Sequence, residues 1–291
     1  MKKIIALALM FVMLFTVAVA TTSCKKENAG TEVKVIDVKL TAEEYAFMVQ
    51  KGNTALRDDM DAFLAEIKEN GEFQKIVDKY FKGEGTKVGY EYTENAVTNT
   101  AENFVVVTNC PFEPFEYILE DGKMYGLDIE IAAMYAQSRG FNLVIKHNVK
   151  FDSIFTDVEA GYADVGMAGI TVNEDRLESY DFTEPYYNAS QKIIVAADNT
   201  MFDECETVAD VEAVIAALEG KKIGYQTGTT GSMYVDGNED WGYPGFANVE
   251  GKGYATAYDA VVDLSNGSIF AVVVDEAPGA AIVNAVNNNL K

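Results

Sequence analysis

Histidine, tryptophan and cysteine are scarce in this chain of 291 residues, which has one, one and three of them, respectively. The single histidine, His147, argues against a catalytic or zinc site built on histidine. The cysteines Cys24, Cys110 and Cys205 show no metal-ligand spacing, and nothing in the sequence supports the one disulfide that the last two could form. The sequence therefore predicts neither a metal site nor a cofactor.

Positive charge is also scarce, because 23 basic residues face 46 acidic ones. Residues 1–23 contain two of the basic residues and none of the acidic ones, so the remainder carries 21 − 46 = −25 charges. A field of this sign repels phosphate backbones. Nucleic acid is therefore excluded as a favoured partner.

The N-terminal segment has the pattern of an export signal. Lys2-Lys3 precede the apolar run Ile4–Ala20, and three small polar residues then lead to Cys24. This pattern predicts a signal peptide over residues 1–23 and lipidation at Cys24. A lipidation motif usually has Leu three residues before the cysteine, where this chain has Thr21, so an uncleaved membrane anchor is the alternative. Either way, we expect an exported protein, lipid-anchored to the cell membrane.

From Phe104 onward, strand-like and helix-like segments alternate. The first series contains strands Phe104–Thr108, Leu143–Lys146 and Asp164–Ile170, with helices Leu127–Arg139 and Asp152–Ala160. The second contains strands Lys222–Gln226 and Ile269–Val274, with helices Ala257–Leu264 and Pro278–Val286, and Lys192–Ala197 is a strand between the two series. This alternation predicts two α/β units with largely parallel sheets.

The front of the chain has a different pattern. Val33–Lys39 and Glu44–Gln50 are strand-like, and apolar residues at helical spacing then predict two amphipathic helices over 53–82. The polar stretch 83–103 is interpreted as a linker to the first α/β unit.

Four segments carry a resemblance to a known family. They are Thr108–Tyr117 followed by Gly126–Ile129, Ala168–Arg176 followed by Tyr180–Tyr187, Gly220–Gly224 running into Gln226–Gly231, and Val272–Glu276. Each segment alone is a weak signal. Together, in this order, they closely resemble the polar amino acid-binding family of bacterial extracytoplasmic solute-binding proteins. The resemblance implies an α/β, two-lobe, periplasmic-binding-protein-like (Venus flytrap) fold with a ligand between the lobes.

The residue chemistry agrees with an amino acid ligand. A carboxylate suits the bidentate fork of Arg176, and an ammonium suits Asp275 at the end of an apolar strand. At the matching positions of the family, Arg176, Thr171 and the Thr230 amide hold the carboxylate. Asp275, the Gly169 carbonyl and Thr171 hold the ammonium. On sequence alone, Arg176 could instead be a surface ion pair, Asp275 a helix cap, and Thr230 part of an ordinary loop.

The resemblance also assigns the side-chain end of the ligand. Phe112 and Phe151 flank the ligand side chain, while Asn109 and Gln226 reach its polar end. Phe112 could instead be core, and Asn109 a turn residue. Because Asn109 replaces an acid, the sequence favours a neutral polar ligand such as glutamine, with basic amino acids second.

The order of the segments departs from the family. Members finish with a crossing strand and two amphipathic helices, and segments that resemble this ending stand at the front, over 33–81. We interpret the chain as a circular permutant in which 83–103 bridges the ancestral ends. An unrelated helical extension on a truncated receptor is the alternative.

The expected organisation follows from this interpretation. Lobe 1 comprises 45–195, with the displaced helices 53–82, the linker 83–103 and the α/β unit 104–195. Lobe 2 comprises 196–291 plus 33–42, and a tether covers 24–32. The chain should cross between the lobes near Glu43–Ala46 and Val195–Asp198.

The expected function is that of a substrate-binding lipoprotein, not an enzyme, which delivers a free amino acid to the permease of an ABC transporter. Two alternatives stay open. One is an enzyme of dehydratase or lytic type on the same fold, which would need a poised acid or base in the cleft. The other is a ligand-sensing module that signals in trans.

Overall fold

The computed structural model describes residues 30–148 and 150–291. The predicted signal peptide and the lipidation site at Cys24 lie outside these residues, as does most of the tether. Within the described ranges, no helix combines the length and the apolar character needed to cross a membrane. Cys110 and Cys205 are both free thiols.

Two five-stranded sheets organise the chain into two lobes. In sheet order, the first contains β7 (Asn142–His147), β4 (Asn103–Thr108), β8 (Val165–Gly166), β3 (Met48–Gln50) and β9 (Tyr180–Phe182). The second contains β1 (Val33–Val35), β11 (Gln191–Ala196), β14 (Ala271–Asp275), β12 (Lys222–Gln226) and β13 (Glu250–Tyr254). In each sheet, the strand from the front of the chain pairs antiparallel, whereas β4–β7, β4–β8, β12–β13 and β12–β14 pair parallel.

Helices cover both sheets. In the first lobe they are α1 (Thr54–Glu69), α2 (Glu72–Val77), α3 (Leu127–Arg139), α4 (Asp152–Glu159) and α5 (Glu174–Ser179). In the second they are α6 (Val208–Ala216), α7 (Thr230–Asp236), α8 (Ala257–Ser265) and α9 (Glu276–Asn289). A π-helical turn, Asp78–Lys82, follows α2, and a short hairpin pairs β5 (Tyr117–Ile118) with β6 (Met124–Tyr125).

The two front helices form because an apolar face repeats every three or four residues. The side chain of Asn53 caps α1 by accepting the Leu56 N–H, and Met60, Phe63, Leu64 and Ile67 lie buried on one side. This face packs into the same core as Phe104 and Phe115 of the first lobe. The front strand β1 instead pairs with β11 of the second lobe.

The linker over 83–103 is held against the first lobe by backbone hydrogen bonds. Tyr90 exchanges them with Met124, and the Thr93 N–H donates to the Ile145 carbonyl at 2.9 Å.

Both connections between the lobes run through a separate two-stranded ribbon. In it, β2 (Glu43–Tyr45) pairs antiparallel with β10 (Tyr187–Ala189). Strand β2 lies between β1 and β3 in the chain, and β10 lies between β9 and β11, so each carries the chain from one sheet to the other. Strand β2 overlaps the segment Glu43–Ala46 in which the first crossing was expected.

The second crossing and the lobe 1 boundary differ from expectation. We expected 45–195 to form the first lobe, with a crossing near Val195–Asp198. Strand β11 instead lies inside the second sheet, paired with β14 from Gln191↔Asp275 to Val195↔Ala271. The physical reason is that Ile193, Ile194 and Val195 are all fully buried, so this strand needs an apolar cover on both faces.

The single strand expected over 44–50 is two strands. The partners change at Ala46–Phe47, from β10 in the ribbon to β8 and β9 in the first sheet. Likewise, β1 ends at Val35 although the apolar pattern continues towards Lys39.

Candidate functional site

One cavity between the lobes contains every residue that the sequence singled out for a ligand. The empty space in it, part of which is open to solvent, is about 330 Å³. The lining residues from the first lobe are Asn109, Phe112, Glu116, Phe151, Ala168, Gly169, Thr171 and Arg176, and those from the second are Gln226, Thr229, Thr230 and Asp275. Three of them, Glu116, Ala168 and Thr229, were not proposed as ligand contacts from the sequence.

The sheet topology explains why these residues meet. Asn109 directly follows β4, and Gly169 comes shortly after β8; Gln226 and Asp275 are the last residues of β12 and β14. These four strands belong to the parallel parts of the two sheets, and open α/β sheets bind ligands beyond the carboxyl ends of such strands. The two sheets face each other, so the edges formed by these strand ends meet in one site.

Arg176 is buried, which contradicts the surface ion-pair alternative. It is 7% exposed, on α5, where the Asn173 side chain accepts the Arg176 backbone N–H. Its guanidinium donates to the Thr171 carbonyl at 2.7 Å and, across the cleft, to the Gly228 carbonyl at 3.3 Å. Burial lowers the pKa of Arg176 to about 10, so the group stays charged at neutral pH.

Aromatic rings surround the same guanidinium. It lies 5.0 Å from the ring centroid of Phe155 and 5.6 Å from that of Phe151. The ring of Trp241, in the short 3-10 helix Glu239–Trp241 of the second lobe, lies 6.0 Å away. Such contacts stabilise a cation that has lost its hydration shell.

Asp275 faces the cavity and does not cap α9, although it immediately precedes that helix. The hydroxyl of Tyr45 donates a hydrogen bond to its Oδ1 atom. Burial raises the pKa of Asp275, and the nearby carboxylate of Glu43 raises it further. A cation in the cavity would favour its ionised form.

Thr171 links the lobes through its hydroxyl. It donates to Glu43 Oε2 at 2.7 Å and accepts from the Thr230 hydroxyl at 3.3 Å. The sequence predicted a loop over Thr227–Gly231, but α7 already begins at Thr230, so the loop ends at Thr229.

Asn109 and Gln226 form the third polar contact across the cleft. Gln226 donates from Nε2 to Asn109 Oδ1 at 2.8 Å and to the Ala255 carbonyl at 3.2 Å, while Asn109 donates to the Asn148 carbonyl at 2.6 Å. Backbone carbonyls only accept, so these contacts fix the orientation of both amides. Asn109 is 4% exposed and is not a surface turn residue.

Two glycines lie where neighbouring side chains approach the backbone closely. At Gly169, with φ of +53°, a Cβ atom would lie 2.6 Å from the ring of Phe112. At Gly228, with φ of +78°, it would lie 1.7 Å from Asp152 Oδ1 across the cleft. The Asp152 carboxyl group can move away, so the positive φ is the stronger reason for glycine at position 228.

Of the three cavity residues that the sequence did not single out, Glu116 is the one with an ionisable side chain. It is fully buried, and neither carboxyl oxygen has a hydrogen-bond partner among the described residues. Burial raises its pKa well above the usual range, and Asp128 and Asp275 add to the shift. An acidic residue between Phe115 and Tyr117 was the available signal, because a charge inside an aromatic run is rarely placed in a core without a purpose.

Taken together, the cavity presents a buried guanidinium from one lobe, a buried carboxyl group from the other, and the aromatic side chains of Phe112 and Phe151. This arrangement can bind a small molecule with both charges, because each charge would find a desolvated partner of opposite sign.

Comparison with known proteins gives the family. Residues 10–83 and 104–290 match the profile of "Bacterial extracellular solute-binding proteins, family 3". A probable histidine-binding protein of Neisseria gonorrhoeae is 29% identical over 66% of this chain and 64% of its own length. An arginine-binding periplasmic protein of Mannheimia haemolytica is 30% identical over 62% of this chain and 65% of its own. The chain thus spans less than two thirds of the curated relatives it matches.

The solved structures agree. An ancestral arginine-binding protein bound to arginine is 32% identical, with a TM-score of 0.55, and the match covers 66% of this chain and 77% of that one. The profile match extends over most of the chain and includes every cavity residue named above. This chain therefore belongs to family 3 of the bacterial extracellular solute-binding proteins.

Proposed function

We propose that this protein is a receptor that binds a free amino acid between its two lobes. The observation that carries the proposal is that Arg176 and Asp275, buried and of opposite charge, come from different lobes and line one cavity. Arg176, Thr171 and the Thr230 amide would hold the carboxylate. Asp275, with the Gly169 carbonyl and Thr171, would hold the ammonium.

The ligand would stabilise the closed arrangement of the lobes. Side-chain hydrogen bonds from Arg176, Thr230 and Gln226 already cross the cleft. A ligand that contacts both lobes adds binding energy only when they are closed, so it shifts the equilibrium towards the closed form. The ribbon of β2 and β10 is the natural hinge for this motion, because both connections pass through it.

The ligand side chain would lie between Phe112 and Phe151 and extend towards Asn109 and Gln226. These two amides favour a neutral polar side chain such as glutamine. Relatives named for histidine and arginine, together with the buried carboxyl groups around the cavity, favour a basic one.

We further propose that the protein is a lipoprotein attached through Cys24 outside the cytoplasm, and that it delivers its ligand to an ABC transporter permease. The export pattern of residues 1–23 supports this proposal. A Cys24→Ser chain should be exported but recovered in the soluble fraction. Its retention in the membrane fraction would contradict lipid anchoring at this cysteine.

The chain is also proposed to be a circular permutant of its family. The front helices pack in the first lobe, whereas the front strand β1 pairs in the second, which is the wiring expected for a displaced C-terminal ending. The proposed first lobe comprises residues 45 to about 190, and residues 43–44 form one crossing. The proposed second lobe comprises residues from about 190 to 291 together with 33–42.

An enzyme on this fold is the second candidate, and Glu116 is the observation that favours it. A buried carboxyl group with a raised pKa can donate a proton to a reacting ligand. Asp275, the other carboxyl group in the cavity, is needed for the ammonium in the receptor proposal.

A thermal-shift panel of the free amino acids, followed by calorimetry and mass spectrometry of the recovered ligand, tests the proposal. We expect at least one free amino acid to raise the melting temperature and to be recovered unchanged. Conversion of the ligand would favour the enzyme, and the absence of any shift or heat across the panel would contradict an amino acid receptor.

A further inference from the structure

A loop of the second lobe carries the single tryptophan of the chain, Trp241, towards the first lobe. The Asn238 side chain begins its 3-10 helix by accepting the Trp241 backbone N–H at 3.2 Å. Backbone hydrogen bonds of 2.9 and 3.0 Å between Asn238 and Tyr243 close the loop. The Tyr243 ring packs on Tyr234 at 5.4 Å, in the core of the second lobe. The loop is therefore fixed to its own lobe and holds Trp241 in a defined position.

This loop meets the first lobe at the proposed carboxylate end of the cavity. Its 3-10 helix lies against α5, the helix that carries Arg176, and the Trp241 ring centroid is 6.0 Å from the guanidinium. Phe151 and Phe155, whose rings also lie near this group, belong to the first lobe. The second lobe thus adds an aromatic face to a cation that the first lobe holds.

A groove open to solvent runs beside this contact, on the hinge side of the cleft. Residues of β2 and β10 line the groove together with Trp241 and Thr171, and Thr171 also lines the cavity. Trp241 therefore lies between the groove and Arg176. A guanidinium attracts a carboxylate more strongly where water is excluded, because the effective dielectric constant is lower there. Without the ring, water in the groove would reach the guanidinium.

The face of the Trp241 ring makes this contact, and its polar atom does not contribute. The indole N–H is buried and has no hydrogen-bond partner among the described residues. A buried donor without a partner costs stability, and phenylalanine at this position would avoid that cost. The side chain is thus suited to covering a cation and not to donating a hydrogen bond.

We propose that Trp241 is a positioning residue for Arg176: its ring covers the guanidinium when the lobes close and keeps water away from the ion pair with the ligand carboxylate. This inference rests on the proposed receptor function. It makes closure and carboxylate binding depend on each other, because the ring approaches Arg176 from the second lobe and separation of the lobes would withdraw it.

Because the chain has one tryptophan, the contact can be observed by fluorescence. Excitation at the red edge of the absorption band, where tyrosine does not absorb, reports Trp241 alone. The probes are L-glutamine, L-histidine and L-arginine, used with calorimetry on the same samples. We expect whichever of them binds to reduce the quenching of Trp241 by acrylamide, with the same midpoint as the calorimetric titration. Unchanged quenching at saturation would overturn the proposal.

Substitutions distinguish the aromatic face from simple bulk. Trp241→Leu should lower the affinity for the same amino acid roughly 2- to 30-fold, the range expected for a cation–π contact. Trp241→Phe keeps an aromatic face and should retain most of the affinity. The control is Tyr162→Leu, which should bind normally, because Tyr162 is 59% exposed and lies outside the cavity.

The outcomes separate this inference from the receptor function. Equal affinities of the folded leucine and phenylalanine variants would overturn the role of Trp241 and leave the receptor function intact. The quenching measurement uses the unaltered protein and therefore decides the matter if the leucine variant does not fold. If no free amino acid gives heat in calorimetry, the receptor function is contradicted, and this inference with it.

Discussion

The hydroxyl of Tyr45 donates a hydrogen bond to the carboxylate of Asp275, and this bond joins the hinge ribbon to the second lobe. Tyr45 is fully buried, and its ring packs edge-on against Phe115 at 5.2 Å in the first-lobe core. The bond lowers the pKa of Asp275 and so opposes the effect of burial. It thus fixes the orientation of the proposed ammonium acceptor and favours its charged form.

Removing this hydroxyl should weaken amino acid binding without changing the cavity shape. For Tyr45→Phe we expect a loss of roughly 2- to 12-fold, or about 0.5–1.5 kcal/mol for one hydrogen bond. The matched control is Tyr187→Phe, because Tyr187 packs against the Tyr45 ring at 5.6 Å and does not bond Asp275. Equal effects of the two variants by calorimetry would show that the loss comes from ring packing.

Arg176→Ala should abolish most of the binding. Leaving a ligand carboxylate buried without its cation typically costs about 2–5 kcal/mol, which corresponds to about a 30- to 4,000-fold lower affinity. Arg57→Ala is the control, since Arg57 pairs with Asp58 on the surface of α1. Near-normal affinity of a folded Arg176→Ala chain would remove this residue from the site.

Asp275→Asn should weaken binding selectively for ligands with a free α-ammonium. In the unaltered protein, N-acetylation of the ligand should greatly reduce affinity, because it removes the positive charge. In the variant, free and acetylated ligands should differ much less. If acetylation has no effect on binding to the unaltered protein, the assignment of Asp275 to the ammonium is wrong.

Binding should release protons near neutral pH. Burial raises the pKa of Asp275 and Glu116, and that of Asp128 to about 7. Some of these three carboxyl groups are therefore protonated before the ligand binds. A cationic ligand favours the ionised forms, so affinity should rise with pH between about 5 and 8. Calorimetry in two buffers of different ionisation enthalpy measures the release, and equal heats would contradict it.

The stability of the protein without added ligand should fall as the pH rises, whereas the affinity for the ligand should increase. A carboxyl group with a raised pKa in the folded state binds protons more tightly there than in the unfolded chain. Its contribution is therefore lost as the pH rises from about 4 towards neutrality. The increase in melting temperature caused by the ligand should thus be larger at pH 8 than at pH 5.

The proposed permutation can be tested by reversing it, because residues near the two ends of the described chain contact each other. Asn287 on α9 exchanges two hydrogen bonds of 2.9 Å with the backbone of Val33. We expect a chain with residue 291 joined to residue 30 by a short Gly-Ser linker, and new ends between Glu94 and Asn95, to fold and bind ligand normally. New ends inside α3, between Ala132 and Ala133, are the control and should prevent folding. A rearranged chain that is no more stable than this control would contradict the permutation.

Local sequence patterns determined most of the elements near the site. Apolar periodicity predicted α3 with both of its ends and the strand Lys222–Gln226, because in these segments the local preference and the tertiary burial agree. Oppositely charged candidates, Arg176 and Asp275, could also be chosen from the sequence, since a zwitterionic ligand requires both charges.

The tertiary structure decided which groups lack a partner and where the lobes begin. The apolar run Ile193–Ala196 of β11 would suit the core of either sheet, so the sequence could not say which sheet would bury it. Pairing with β14 decided this. Glu116 is one acidic residue among 46 until the fold buries it near Asp275 and Asp128, with no hydrogen-bond partner among the described residues. Whether a buried group has a hydrogen-bond partner, and how far it is removed from water, depends on residues far apart in the chain. Both are therefore properties of the packed protein that no local sequence pattern contains.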